Sequence, residues 1–454
     1  MRIEDFPTEI LRLFVLSLGK SDRRTLLFVS RRFHDIALPY LYQSICLPSA
    51  DETWLNIFLL TILRKPQIAD EVRELELRGF ATTRASERLG GHGLLPPQEE
   101  DVKSAIARII PDPQDDGAWI GDIPRHSADT LFAVLLACLP NLSKLTFELP
   151  FIEPKDDQGR PICHFYRMLI RAVSREESST APPILSHLSS VVAKHNRDDK
   201  YCDEELASTV LSPFFQIPSM RHITAFQIND TEGTKWDLKH PSPVTHVDLR
   251  DACATNGMQQ LISSCQNLQS FTYSHTAREA IHGVPQSLRT ALHHAKHSLT
   301  TLILDFRSFC DEFDYGVLGE SLACFESLKL LHIDAYNLLK FEDNFDQDSE
   351  FEYENTEPTV ADMLPASMES LHICALEPQH MQQCFEQLVD LAGVAGEKFP
   401  VLKEILLTVK VYVDDETRDE VKRACAKAGI ECRFTLYCGC FERRWGGKNF
   451  SWKK

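Results

Sequence analysis

The chain has no apolar run near the ~20 residues that a membrane-spanning helix requires. Its longest, Trp54 to Leu63 and Leu131 to Leu139, hold about ten residues each. Positive charge is also short. Lys and Arg number 48 against 66 Asp and Glu, a formal net charge of −18. A surface this acidic repels phosphate backbones and anionic lipid, so neither nucleic acid nor membrane is an expected partner. The N-terminus lacks the marks of a secretory leader: Glu4 and Asp5 stand where basic residues are needed, and no small-residue cleavage site follows Ile10 to Leu18. The fourteen cysteines are therefore expected to be reduced thiols in a cytoplasmic or nuclear protein.

Catalytic and nucleotide motifs are missing too. There is no G-x-x-x-x-G-K-[ST] loop, no G-x-G-x-x-G, no G-x-S-x-G and no H-E-x-x-H. Neither an enzyme nor a cofactor is expected. Cys425, Cys432, Cys438 and Cys440 lack the paired C-x-x-C knuckles of a zinc site, and they read as structural thiols. The acidic stretch Glu342 to Glu357 offers carboxylates at calcium-loop spacing but puts Phe351 where the sharp turn requires glycine, so it reads as a solvated loop. The tail from Arg443 to Lys454 mixes five cations with Trp445, Phe450 and Trp452, and is expected to fold back or stay unstructured. No metal is expected.

What is present is ordinary globular composition, 43% hydrophobic and 25% charged, in 454 residues. That length suits about three domains, or one small module joined to a repeat array. In the first fifty residues Ile10, Leu11, Phe14 and Leu18 form one apolar helix face, while Leu13, Val15 and Leu16 make the rest of the circumference apolar. Two more helical segments follow, through Leu26, Leu27 and Val29 and through Phe33, Ile36 and Ala37, with Pro39 breaking or bending the last. A unit of about 45 residues has too little interior for so many large apolar groups, and the excess implies a partner surface.

The strings Phe6-Pro7-Thr8-Glu9-Ile10-Leu11, Val29-Ser30-Arg31-Arg32-Phe33 and Ala37-Leu38-Pro39-Tyr40-Leu41-Tyr42, with Asp22 and Leu26 between them, resemble the F-box of fungal F-box proteins. The resemblance implies a three-helix unit over residues 1–48 that docks on the Skp-type adaptor of cullin-RING ubiquitin ligases. Carried onto this chain it gives Phe6, Pro7, Ile10, Leu11, Phe14, Leu18 and Val29 as the residues facing the adaptor. The function implied is that of a substrate-recognition subunit, the partners being the adaptor, cullin through it, and a protein to be ubiquitinated. The alternative is a scaffold that binds the adaptor without delivering substrates.

After a helix expected over Glu52 to Arg64, the pattern apolar-x-x-apolar-x-apolar recurs. Copies lie at Val72-Leu75-Leu77, Leu142-Leu145-Phe147, Val244-Val247-Leu249, Leu268-Phe271-Tyr273, Leu299-Leu302-Leu304, Leu328-Leu331-Ile333, Met368-Leu371-Ile373 and Leu402-Ile405-Leu407, with weaker ones beginning at Leu185 and Met220. This is the strand signature of leucine-rich repeats, and helical faces such as Met258, Leu261, Ile262 and Cys265 sit between the strands. The fold expected is α/β, a three-helix module followed by an irregular leucine-rich-repeat-like array over residues 49–454; an ordinary doubly wound sheet is the alternative. Insertions are expected near residues 81–128, where Gly and Pro cluster, and near residues 341–360. By strand alternation the residues between the apolar positions point outward. Asp248, Arg250, Ile303, Asp305, His332, Asp334 and His372 are the candidate partner-binding residues, suited to a segment of basic and apolar character.

Overall fold

The computed structural model describes residues 3–47, 52–78, 96–109, 128–149, 164–173, 184–195, 206–229, 238, 240–253, 256–275, 284–306, 321–339, 359–376 and 378–436. The chain forms two compact units, Met1–Leu249 and Arg250–Lys454. The first therefore includes the N-terminal helices that the sequence sets apart at residue 48.

Unit 1 opens with α1 (Thr8–Ser17), α2 (Lys20–Leu26) and α3 (Arg31–Tyr42). Leu11 and Val15 on α1 pack with Phe33, Ile36 and Ala37 on α3 into a small core, flanked by Leu26, Leu27 and Tyr40. Helix ends are closed by side chains. Arg23 donates to the carbonyls of Val15 and Leu16 at the end of α1, both at 2.9 Å, and Ser30 accepts from Phe33 N–H at the start of α3. Pro39 does not break α3, which runs on to Tyr42, with Gln43 N–H donating to the Pro39 carbonyl. A proline forfeits a single N–H, and the buried residues Phe33, Ile36 and Ala37 anchor the helix before it.

The segment after α3 is β1 (Ser44–Leu47). It lies parallel to β2 (Glu74–Leu77), beyond α4 (Glu52–Arg64) and α5 (Pro66–Ala69). Next come α6 (Pro96–Ile109), α7 (Ala128–Ala137), β3 (Lys144–Leu149), α8 (His164–Val173) and β4 (Ser190–His195). Then follow β5 (Leu206–Ala207), α9 (Ser212–Gln216), β6 (His222–Phe226), β7 (Ile228–Asn229) and β8 (His246–Ala252), in which the division between the units falls. β1, β2, β3, β4 and β6 pair in that order, each parallel to the next. A doubly wound sheet would reverse its strand order; this run does not.

Part of the expected insertion near 81–128 is a packed helix. α6 buries Val102, Ala105 and Ile106 and contacts α4 and α7, its start favoured by prolines where a first turn tolerates them. With α4, α6 and α8 all against it, α7 is buried around its circumference, Leu131 to Leu136 included. Phe132, Phe147, Phe165 and Phe214 form an aromatic core with ring centroids 5.2 to 6.4 Å apart. Buried Asp129 on α7 accepts from the backbone N–H groups of His164 and Phe165, closing the start of α8. Burial pushes its carboxyl above the usual range against the pull of His164 and those N–H groups.

Unit 2 carries α10 (Asn256–Ser263), β9 (Ser270–His275), α11 (Val284–Leu292), β10 (Thr301–Asp305), β11 (Leu330–Asp334) and α12 (Ala335–Leu338). It continues with α13 (Val360–Met363), β12 (Ser370–Leu376), α14 (Met381–Lys398), β13 (Glu404–Val409), α15 (Asp415–Lys427) and β14 (Glu431–Leu436). Strands β9 to β14 pair parallel in chain order. The motif residues Phe271, Tyr273, Leu302, Leu304, Leu331, Ile333, Leu371, Ile373, Ile405 and Leu407 are all buried. The acidic stretch Glu342 to Glu357 and the tail Arg443 to Lys454 lie outside the described residues.

At the end of α15 two backbone bonds close the turn: Ile430 N–H to the Cys425 carbonyl at 2.9 Å and Gly429 N–H to the Ala426 carbonyl at 3.1 Å. Gly429 sits at φ +76°, and a Cβ there would meet nothing within 4 Å. Gly429→Ala therefore isolates the cost of the left-handed backbone, about 1 to 2 kcal/mol. A denaturation midpoint lowered to match is expected, and an unchanged one would show that the turn relaxes freely.

Candidate interaction surfaces

The N-terminal helices divide their apolar residues sharply. Leu11 is 1% exposed, within the core shared by α1 and α3, whereas Ile10 next to it is 48% exposed. Of the residues carried over by resemblance, Phe6, Pro7, Ile10, Phe14 and Val29 are exposed and Leu18 is half-buried. Leu11 is corrected from surface to core, because adjacent positions on a helix lie about 100° apart and only one of the pair can face α3. The structure adds Leu13, Leu16 and Phe28 to the exposed set, Phe28 at 84%. The apolar circumference of α1 signalled the first two; Phe28 sits in the turn between helices, where periodicity says nothing.

On the sheet face of unit 2 the register aligns one outward row: Thr272, Ile303, His332, His372, Leu406 and Arg433 sit opposite one another on successive strands. His332 and His372 stand edge to face, centroids 4.1 Å apart. His372 Nε2 meets the Thr408 hydroxyl at 2.8 Å, and that hydroxyl meets Thr435 at 2.9 Å. His332 Nε2 lies 3.1 Å from the Cys374 thiol, which donates to Asp334 Oδ1 at 3.3 Å. Arg250 and Asp305 are half-buried on this unit's strands.

Asp334 departs from the expectation of an exposed residue. It is 3% exposed and accepts from the Phe306 backbone N–H as well as from Cys374. Strand alternation points its side chain outward, but α12 begins at the next residue and closes over the end of β11. It acts as a structural acceptor, and Cys374, opposite it on β12, is buried as well.

On unit 1 the outward row is Cys46, Glu76, Thr146, Val192 and Thr224, with Asp248 half-buried on β8. Burial raises the Glu76 carboxyl, but Arg78, donating at 2.8 Å, outweighs it and holds the group below the usual carboxylate range. His222 and His246 stack with centroids 4.5 Å apart. Among the described residues no three His, Cys, Asp or Glu are grouped to hold a metal, and no helix is long and apolar enough to cross a membrane.

His246 is held below the ordinary imidazole range, by burial first and by His222 second. Because its folded value is depressed, the unfolded chain takes up the proton first as pH falls below about 6.5, and stability drops from there down to the folded value. His246→Gln is expected to flatten thermal stability against pH between about 7 and 5. An unchanged slope would assign the acid sensitivity to other groups.

Comparison with curated proteins returns no match. A leucine-rich repeat domain model matches residues 52–444, which takes in every strand from β2 to β14 and leaves out the three N-terminal helices. Such domains are typically non-enzymatic modules for protein–protein interaction. With most of its length matched, and with β2, β3, β4, β6 and β8 to β13 carrying the buried apolar pair of the repeat, the chain belongs to the leucine-rich repeat domain family.

Proposed function

We propose that the chain is the substrate-recognition subunit of a cullin-RING ubiquitin ligase of the SCF type. In this reading the N-terminal helices dock on a Skp-type adaptor and the repeat sheet holds the protein to be ubiquitinated. The observation that carries it is the exposed apolar set Phe6, Ile10, Phe14 and Val29, four of the positions that the F-box resemblance assigns to the adaptor. Leu13, Leu16 and Phe28 enlarge that surface beyond what a solvated helix bundle needs. Covering Ile10 would supply about 1.5 to 3 kcal/mol. The chemistry is recognition alone, with ubiquitin transfer performed elsewhere in the ligase.

The substrate surface in this reading is the row Ile303, His332, His372 and Leu406, flanked by Asp305 and Glu404. Apolar side chains with carboxylates beside them suit an extended segment of basic and apolar character.

Ile10→Asp with Val29→Asp is expected to abolish co-purification with the adaptor while leaving thermal stability unchanged, since both side chains are exposed. Retention of the adaptor at wild-type yield would overturn the docking assignment. Leu11→Ala is the contrasting variant: it should destabilise the helical module by about 2 to 5 kcal/mol, as a large-to-small core substitution does.

The second test concerns the sheet face. Asp305→Lys with His372→Ala is expected to keep the adaptor and lose a subset of the proteins identified by mass spectrometry of the purified complex. Identical protein sets for variant and wild type would exclude this face as the substrate site.

A further inference from the structure

Two histidines of unit 1 stand level on neighbouring strands. β6 and β8 adjoin in the sheet, and the Arg221 carbonyl before β6 accepts from the N–H groups of both Thr245 and His246, each at 2.9 Å. Those bonds start the two strands together, so His222 and His246, the first residue of each, come side by side with ring centroids 4.5 Å apart. His222 is exposed and His246 half-buried. Far apart in the sequence, they show none of the short spacing by which a metal site is read from it.

The tautomer of His246 is fixed from behind. The Thr245 hydroxyl donates its one proton to the Arg221 carbonyl at 3.2 Å. It also meets His246 Nδ1 at 2.8 Å, and with its own proton engaged it accepts there. Nδ1 therefore carries the ring proton, and Nε2 keeps the lone pair that a metal ion requires. Metal-bound imidazoles are held in this way, through a hydrogen bond from the nitrogen that does not coordinate. The His222 ring has no hydrogen-bond partner among the described residues, so either of its nitrogens can serve.

We propose that His222 and His246 together bind a divalent transition-metal ion of the Ni²⁺ or Cu²⁺ class, with water in the remaining positions. Consider two imidazoles that hold one ion at about 2.0 to 2.1 Å from positions about 90° apart, each ring centre about 1.1 Å beyond its nitrogen; their centroids are then about 4.5 Å apart. That is the spacing found here. Ligand angles of this size belong to square-planar and tetragonal sites, the geometry of Ni²⁺ and Cu²⁺, and both ions accept imidazole, whereas Mg²⁺ selects oxygen.

The test titrates the full, reduced chain with Ni²⁺ by calorimetry, with and without excess Mg²⁺. Ni²⁺ is the probe because it leaves thiols unoxidised. Saturable binding that Mg²⁺ does not displace is expected, together with a melting temperature that Ni²⁺ raises. His222→Ala and His246→Ala should each remain folded and lose both effects. Thr245→Val keeps both imidazoles but releases the tautomer, and should weaken Ni²⁺ binding about tenfold. Ni²⁺ affinity unchanged in either histidine variant would place the ion elsewhere and overturn the proposal. So would a wild-type chain that takes up no Ni²⁺, or one that gives it up to Mg²⁺.

Discussion

A single backbone arrangement recurs from strand to strand: the carbonyl of the residue before a strand accepts the first two N–H groups of the next repeat. Gln43 receives Arg73 and Glu74, Arg73 receives Ser143 and Lys144, and Ser143 receives Ser189 and Ser190. In unit 2 Thr300 receives Lys329 and Leu330, Lys329 receives Glu369 and Ser370, and Glu369 receives Lys403 and Glu404. Each distance is close to 3 Å, up to 3.4 Å in the last pair. The arrangement sets the register of every following pair, because a parallel strand that slips by one residue would turn its buried Leu and Ile outward. Hydroxyls of Ser143 and Ser189 donate to the Arg73 and Ser143 carbonyls, and those of Thr245 and Thr300 to the Arg221 and Gln269 carbonyls before β6 and β9, which reinforces the alignment.

Everything proposed for the sheet face follows from that register. His332 and His372 meet because their strands start together, and Thr408 meets Thr435 for the same reason. The short repeats tolerate inserted segments of very different length because an insertion leaves the lock at the strand start untouched. Between Leu77 and Phe147 the chain adds α6 and α7 and still returns to pair β3 with β2 in register. Loop length costs little once the strand start is locked, since closure entropy rises only logarithmically.

The N-terminal helices obey a different constraint. Five residues, Leu11, Val15, Phe33, Ile36 and Ala37, fill their core, and the other large apolar groups of α1 remain on the surface. A surface rich in Ile, Leu and Phe is retained where covering it supplies binding energy.

The sequence alone determined the repeat and much of its phase. Glu52–Arg64 is a helix with the expected bounds, and each motif from Val72-Leu75-Leu77 to Leu402-Ile405-Leu407 became a strand with its apolar positions buried. Periodicity is a one-dimensional property, and alternation within five residues is enough to mark it. Tertiary structure decided what local pattern cannot: that β1 pairs with a strand some thirty residues on, that α7 is buried on all sides, and that Leu11 is core while Ile10 is surface. It also buried Asp334, where α12 begins. In each case the outcome depends on which element arrives on a given face, and that partner comes from elsewhere in the chain.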